Sequence, residues 1–216
     1  MISLPLPDIA WFLLLAAPWT MLLSAIAFLG GGIGATLLLL LRFARPDFGA
    51  RLVHLYVELM QGTPLLLQLF LVFFGLPWLG FDVSLLGAAT IALTLYATAY
   101  LVEIWRGCVD AIPRGQWDAS AGLGLNFLQQ MRKVILPQAL RIAVPPTVGF
   151  LVQLVKSTAL CSIVGFDELL EAGQKLSNAT FRPFLIYGLV ALIYFALCFP
   201  LTHYSRQLEG RLRQSR

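Results

Sequence analysis

Long apolar stretches dominate the chain, and a polar interval divides them into two groups. Apolar residues fill windows at about 19–42, 52–75, 84–105, 140–160 and 184–204. Each window is close to the roughly 20 residues that a helix needs to cross a hydrocarbon core of roughly 30 Å. Backbone groups in lipid must be satisfied within the segment, and the windows lack the alternating pattern of barrel strands. We therefore expect an all-α, polytopic membrane protein with five transmembrane helices.

The first apolar stretch is longer than one crossing requires. It runs from Ile9 to Leu41 without a charged residue, and as a single helix it would extend about 50 Å. Pro18 predicts a break, because proline removes a helical hydrogen bond. We expect an interfacial segment over residues 5–17, followed by the first span. Four glycines in that span are expected to allow close helix packing: Gly30, Gly31, Gly32 and Gly34.

Composition agrees with a single membrane domain over residues 1–216. Hydrophobic residues make up 59% of the chain and charged residues 12%, which is outside the usual range of soluble domains. The net charge of +4 comes without a basic stripe interleaved with aromatics, so we expect no nucleic-acid partner. Cys108, Cys161 and Cys198 lie far apart without metal-ligand spacing, and we interpret them as packing residues.

Basic residues mark one side of the membrane. Of the 15 lysines and arginines, all but Lys156, Lys175 and Arg182 lie in the first connection, the third connection or the C-terminal tail. Because connections rich in Lys and Arg stay in the cytoplasm, the N-terminus is expected outside and the C-terminus inside. The polar interval near residues 113–137 is then cytoplasmic.

That polar interval predicts a helical hairpin. Pro113 and Gly115 interrupt the preceding helix, and Asp118 is expected to cap a new one. Gly124 can end this helix in the left-handed conformation, and Asn126 can cap the next. Two interpretations stay open from the residues alone: a rigid element that docks on another protein, or an ordinary connection. About thirty residues is long for the second.

A spaced pattern runs through the hairpin: Asp118-Ala119-Ser120, three residues, Gly124, nine residues, then Val134-Ile135-Leu136-Pro137. It resembles the EAA loop of ABC importer permeases, in which Glu-Ala-Ala is followed at these spacings by Gly and by Ile-x-Leu-Pro. Asp118 stands in the place of Glu and keeps the charge. Ser120 stands in the place of the second Ala and keeps the small volume, and Val134 stands in the place of Ile and keeps the branching. The resemblance gives the ATPase-coupling role to Asp118, Ala119, Ser120, Gly124, Val134, Leu136 and Pro137.

Other segments narrow the resemblance to the polar amino-acid permeases, the histidine/glutamate/arginine group. They are residues 56–59, 62–65, 99–104, 112–117, 135–141 and 180–184. Gln61 stands where many members of that group have Arg, which puts in doubt any inference about charge near Gly62.

The resemblance implies a bacterial inner-membrane permease subunit that moves polar L-amino acids inward by alternating access. Its implied partners are two cytosolic ATPase subunits that bind ATP-Mg, a second permease subunit that is identical or a sister, and an extracytoplasmic amino-acid-binding protein. Bilayer lipid surrounds the spans. The chain itself has no Gly-Lys-Ser/Thr phosphate loop, so we expect a transport subunit that is not an enzyme and binds no cofactor or metal.

Polar residues inside the spans are candidates for the substrate pathway, because polar groups in hydrocarbon usually face protein or water. They are Glu58, Gln61 and Gln68 on one face of the second span, and Gln153, Lys156 and Ser157 on one face of the fourth. Lys156 has two interpretations, contact with the carboxylate of an amino acid or a structural role by snorkelling or pairing with Asp167 or Glu168. Glu103 is expected to pair with Arg106 one turn away.

Two other function classes remain as alternatives. An energy-independent channel or exchanger could use the same five spans but has no use for a docking hairpin. An intramembrane enzyme would need Glu58, Glu103 and His54 to converge, and their spacing gives no nucleophile with its base.

Overall fold

Helices form every regular element in residues 4–214, the part of the chain that the computed structural model describes, with side chains described for residues 4–210. The elements are α1 (Leu6–Ala44), α2 (Pro46–Gly62), α3 (Leu65–Trp78), α4 (Leu85–Asp110), α5 (Arg114–Gly122), α6 (Phe127–Gln130), a π-helical turn (Met131–Ile135), α7 (Leu136–Ser157), a 3₁₀ helix (Thr158–Val164), α8 (Leu169–Thr180) and α9 (Pro183–Gln214).

Four of these helical stretches are long and apolar enough to cross a membrane. They are Leu6–Ala44, Leu85–Asp110, Phe127–Val164 and Pro183–Gly210. The consecutive helices α2 and α3 meet at an angle of 100° and make a fifth crossing if they are taken together. The all-helical, polytopic architecture is confirmed, and the predicted second span falls on this bent pair.

The expected break at Pro18 is wrong, because α1 is one helix of 39 residues with Pro18 inside it. A stripe of buried side chains runs past the proline on one face: Ile9, Leu13, Ala17, Thr20, Leu23, Ala27, Gly31 and Ala35. The first part of this stripe packs against α8 and α9, and the later part against α4. Packing on both sides of Pro18 outweighs the loss of one backbone hydrogen bond.

Helices α1 and α4 approach closely through glycine, as the sequence predicts. A Cβ added at Gly31 would lie 2.5 Å from Ala97 Cβ, and one added at Gly34 would lie 2.5 Å from Thr98 Oγ1. Such separations are far below van der Waals contact. Only a residue without a side chain fits there.

The buried apolar side chains form four clusters, of which two bear on α1: a main cluster and a smaller cluster with residues from α1, α8 and α9. Helix α4 contributes most to the main cluster, which also includes Leu23 from α1, Leu69 from α3 and Leu154 from α7. The smaller cluster contains Ile9 and Leu13 with Leu169, Ile186 and Val190. Helix α1 therefore belongs to both.

The bend between α2 and α3 is a built feature of the fold. Pro64 disfavours the helical conformation of the residue before it, and Thr63 is extended (φ −115°, ψ 142°). The backbone carbonyl groups that lose their helical partners at the bend accept hydrogen bonds from side chains. Thr63 Oγ1 donates to the Leu59 carbonyl at 2.8 Å, and Gln68 Nε2 donates to the carbonyls of Met60 at 2.6 Å and Thr63 at 3.1 Å.

Because of the bend, the prediction that Glu58, Gln61 and Gln68 share one helical face is wrong. Gln68 lies on α3, beyond the 100° turn, so it does not share a helical face with Glu58 and Gln61. Its amide is engaged with the bend and the residue is buried. A pathway role for Gln68 stays a prediction.

Replacing Gln68 by Leu should destabilise the fold, because two backbone carbonyls would lose their donor in a buried place. We expect a loss of about 1–3 kcal/mol in the free energy of unfolding, measured as a lower midpoint of thermal unfolding in detergent. Gln61→Leu is the matched control, since Gln61 is exposed and its side chain makes a hydrogen bond of 3.5 Å to the Ala99 carbonyl, longer than those of Gln68. Equal midpoints for both variants would contradict the role of Gln68.

Candidate coupling hairpin and polar cavity

The predicted hairpin is present, and we use that name for residues 114–130. Helix α5 ends in a left-handed glycine, Gly124, with φ 72°. The N–H groups of Gly124 and Leu125 donate back to the carbonyls of Ala121 at 2.9 Å and Ser120 at 3.3 Å, which closes the helix end. The prediction that Gly124 ends this helix in the left-handed conformation is confirmed.

Helix α6 begins with a capping box, as expected for Asn126. Its side chain accepts from the Gln129 N–H at 3.0 Å, and the Gln129 side chain accepts from the Asn126 N–H at 3.0 Å. Two defined helix ends enclose a turn of only a few residues. The hairpin is therefore a rigid unit.

The expected cap at Asp118 is wrong. Helix α5 begins at Arg114, directly after Pro113, and Asp118 lies within the helix with an exposed side chain. Proline suits the start of a helix, because its missing N–H would have no intrahelical partner there. Asp118 is free to present its carboxylate to solvent or to another molecule.

Aromatic and apolar contacts hold the hairpin against the membrane helices. Phe127 packs between Trp117, at 6.4 Å between ring centroids, and Phe43 at the end of α1, at 6.2 Å. Met131 and Ile135 of the π-helical turn are buried with residues at the end of α4. The hairpin is therefore packed against the ends of α1 and α4.

The π-helical turn joins the hairpin to α7. The Leu136 N–H donates to the Met131 carbonyl, five residues back. Gln138 on α7 then connects the two parts, since its Nε2 donates to the Val134 carbonyl at 2.8 Å and to Gln116 Oε1 of α5 at 3.2 Å. Helix α7 and the hairpin are linked by side chains as well as by the chain.

The residues of α5 and the later motif positions divide into an exposed set and a buried set. Gly115, Asp118, Ala119 and Gly122 recur at helical spacing and are exposed, so α5 presents a small-residue face with one carboxylate. Ser120 is buried and donates to the Trp117 carbonyl at 2.8 Å. At the end of the motif, Val134 is half-buried, while Leu136 and Pro137 are exposed at the start of α7.

A polar cavity of about 850 Å³ opens near the same end of the bundle, between the end of α1, helix α2 and the last turns of α4. Glu58 and Gln61, both predicted pathway residues, line it together with Arg42, Arg51, His54, Glu103 and Arg106. Glu58 Oε1 lies 3.1 Å from His54 Nε2. The cavity holds both cations and carboxylates, so it suits a ligand with both charges.

The expected pair of Glu103 and Arg106 is confirmed. Arg106 donates to both oxygens of Glu103, and it also reaches Asp110 at 3.2 Å. Arg42 and Arg51 make no ion pair among the side chains described for residues 4–210. These two arginines supply the uncompensated positive charge of the cavity.

The remaining pathway candidates lie at the other end of the bundle. Gln153 Nε2 donates to the Tyr96 hydroxyl at 3.0 Å, beside stacked rings of Tyr100 and Phe150 at 5.3 Å. Ser157 is half-buried, and Lys156 is exposed. The structure therefore forms two polar regions, one with Glu58 and Gln61 and one with Gln153, Lys156 and Ser157.

Pairing of Lys156 with Asp167 or Glu168 is not observed. Asp167 bonds to Lys175, and Glu168 is fully buried among neutral donors. Within the described side chains Lys156 has no ion-pair partner, so its charge is directed to the surface of the chain.

Glu168 is a polar residue whose importance the sequence did not reveal. Its side chain caps α8 by accepting from the N–H groups of Leu170 at 2.7 Å and Glu171 at 3.0 Å. The sequence offered a partial signal, a carboxylate directly before an amphipathic helix. The contacts that bury it come from residues far away in the chain.

The cysteines match their predicted packing role, since Cys108, Cys161 and Cys198 are all buried and unpaired. Across the described residues no group of three or more His, Cys, Asp or Glu side chains is arranged to hold a metal ion.

Comparisons with known proteins agree with this arrangement. The chain is 35% identical over 180 residues to the probable amino-acid ABC transporter permease protein YckA of Bacillus subtilis, which covers 83% of this chain and 80% of that protein. It is 33% identical over 195 residues to the L-cystine transport system permease protein TcyB of the same organism, covering 90% and 83%.

A solved structure shows that the fold is similar as well as the sequence. A chain from the crystal structure of an amino acid ABC transporter with histidines superposes with a TM-score of 0.89 at 26% identity, covering 97% of this chain and 100% of that one. The family described as the inner membrane component of binding-protein-dependent transport systems matches residues 31–214. The chain belongs to this family of inner membrane transport components.

Proposed function

We propose that this permease subunit of a binding-protein-dependent ABC importer carries polar L-amino acids into the cytoplasm, and that its hairpin is the coupling element. The observation that carries the proposal is the hairpin itself. Its turn is closed by Gly124 and Asn126, and it is linked by side chains to α7. A channel or exchanger has no use for such an element.

The hairpin end of the bundle is the cytoplasmic side in this proposal. The basic residues of the first connection, the third connection and the C-terminal tail support that orientation. The N-terminus is then extracytoplasmic. The exposed small-residue face of α5 lies in a groove on an ATPase subunit, where ATP-Mg is bound and hydrolysed.

ATP-driven closure of two ATPase subunits moves two hairpins, one from each permease subunit. The motion reaches the spans through α7 and through the aromatic contacts of Phe127. Packed elements with two discrete arrangements then open the pathway to one side or the other. The second permease subunit, an identical chain or a sister, completes the pore.

The cargo follows the two polar regions in turn. An extracytoplasmic binding protein delivers an amino acid near Gln153, Lys156 and Ser157, where the free charge of Lys156 meets the carboxylate that every amino acid carries. The polar cavity with Glu58 and Gln61 receives it on the cytoplasmic side. The guanidinium groups of the cavity suit the carboxylate of an amino acid, and the carboxylates of the cavity suit its ammonium group.

The proposal is tested by uptake in cells of the source organism. A strain that lacks the gene, with and without a plasmid copy, is given radiolabelled L-glutamine, L-arginine, L-glutamate or L-cystine at micromolar concentration. We expect uptake of at least one probe to fall on deletion and to return with the plasmid, and to stop when cellular ATP is depleted. Uptake that continues without ATP would favour the channel or exchanger. If all four probes were unaffected by deletion, amino acids of this class would not be the cargo.

A further inference from the structure

Glu168 is the only fully buried carboxyl group among the side chains described for residues 4–210. It lies after the 3₁₀ helix and before α8, outside the four candidate spans and the bent pair. We use the name far segment for residues 158–180, which connect α7 to α9 at the end of the bundle opposite the hairpin. Burying a charge is costly unless every lone pair finds a donor.

Donors from three helices meet this carboxylate. One oxygen, Oε1, accepts the two N–H groups at the start of α8. The other, Oε2, accepts the hydroxyl of Tyr194 on α9 at 2.6 Å and that of Thr20 on α1 at 3.2 Å. Thr20 Oγ1 also accepts the Leu169 N–H at 3.1 Å. The carboxylate therefore ties α8 to both α1 and α9.

No cation stands against Glu168 in the described part of the chain. The groups that face it are the hydroxyls of Thr20 and Tyr194 and the thiol of Cys161 in the 3₁₀ helix. Lys175, the nearest lysine in sequence, bonds to Asp167 and Glu171 on the exposed side of α8. The charge is held by neutral hydrogen bonds and by the positive end of α8.

Glu168 also sits between the two apolar clusters. Phe166 packs into the main cluster, whereas Leu169 packs into the smaller cluster with Ile9 and Ile186. Helix α7 carries the hairpin at one end and continues into the far segment at the other. A helix that transmits movement needs a firm attachment at both ends, and Gln138 with the π-helical turn supplies only one of them.

We propose that Glu168 is a positioning residue for transport, the anchor that attaches the outer end of α7, through the far segment, to α1 and α9. Movement of the hairpin then shifts the outer end of the pathway instead of bending the far segment. This inference rests on the proposed function, since it assigns the anchor a part in coupled uptake.

The chain offers a variant that separates anchoring from helix capping. Aspartate is a good N-cap, so Glu168→Asp keeps the negative charge and the contacts to the start of α8. It is one methylene shorter and does not reach Thr20 and Tyr194 at the same time. Tyr194→Phe removes one anchor contact and leaves the cap untouched. Thr180→Val is the matched control, because the buried Thr180 hydroxyl donates only to the Leu176 carbonyl within α8.

The experiment uses the whole transporter, purified through a tag on this chain and placed in proteoliposomes with its binding protein. Radiolabelled uptake of the probe that the wild type carries is measured together with ATP hydrolysis, both per folded complex. We expect Glu168→Asp and Tyr194→Phe to lower uptake per ATP by about ten-fold, the scale of one lost hydrogen bond to a charged group. Thr180→Val should match the wild type, and the double variant should be little worse than either single one.

Three outcomes separate the possibilities. Normal uptake per ATP in Glu168→Asp and Tyr194→Phe overturns the anchor. A loss of uptake that only follows the loss of folded complex overturns it too, because that result describes a structural residue. Absence of ATP-dependent uptake in the wild type contradicts the proposed function instead, so the two failures are distinguishable.

The pH dependence of stability provides a second readout. Burial raises the pKa of the Glu168 carboxyl, and its four hydrogen bonds oppose this rise in part. The folded chain then holds the proton more tightly than the unfolded chain. Stability from this group falls as pH rises from the ordinary glutamate value through the raised pKa. The thermal midpoint of the wild type minus that of Glu168→Gln should therefore fall as pH rises across this window. A difference that stays constant with pH contradicts a buried, ionisable anchor.

Discussion

Replacing Gly31 by Val should prevent the protein from assembling. The new Cβ would lie 2.5 Å from Ala97 Cβ and 3.0 Å from the Ala97 backbone carbon, so α1 and α4 must separate along their contact. Overpacking of this kind typically costs about 1–3 kcal/mol, and backbone contact leaves little room for relief. We expect little monodisperse protein after detergent extraction, measured by fluorescence-detected size exclusion.

Gly188→Val is the control for this variant. Gly188 lies within α9, and a Cβ there meets nothing within 4 Å in this chain. Its elution profile should resemble that of the wild type. A normal profile for Gly31→Val would mean that α1 and α4 pack less tightly than the structure shows.

Replacing Ala119 by Arg should separate the permease from its ATPase and abolish uptake. Ala119 is exposed on the small-residue face of α5, and a long cationic side chain there fills the space that a docked partner needs. We expect the variant to reach the membrane at normal levels but to purify without the ATPase subunit. Quantitative immunoblotting of the purified complex measures that ratio.

Ala179→Arg provides the matched control, because Ala179 is also an exposed alanine on a helix but lies on α8, at the opposite end of the bundle. It should keep the wild-type amount of ATPase. If Ala119→Arg retained the ATPase and normal uptake, docking through this face of α5 would be contradicted.

The sequence predicted those parts of the fold that local chemistry determines. Apolar length predicted the membrane helices, and turn chemistry predicted the ends at Gly124 and Asn126. Two expected helix boundaries, at Pro18 and at Asp118, were wrong. Helix α1 continues through Pro18 because side chains on both sides pack against other helices, and α5 begins at Arg114 because the preceding Pro113 already suits a helix start.

The candidate site was predictable as a set of residues but not as a geometry. Glu58 and Gln61 face the polar cavity together, whereas the bend at Thr63 separates Gln68 from them. Glu168 was missed as a central residue because its partners, Thr20 and Tyr194, lie 148 and 26 positions away. Periodicity and caps describe neighbours along a helix, and contacts over such distances are outside their reach.

The π-helical turn gives the spacing of the hairpin motif a meaning of its own. Each residue of an α-helix advances the direction of the next by about 100°. The turn at Met131–Ile135 begins inside the nine-residue gap between Gly124 and Val134 and ends one residue after Val134. Deleting one residue from that gap would keep every motif residue but should rotate the exposed face of α5 by roughly a quarter of a circle relative to α7. The length of that gap therefore sets the angle at which α5 stands relative to α7 in this chain.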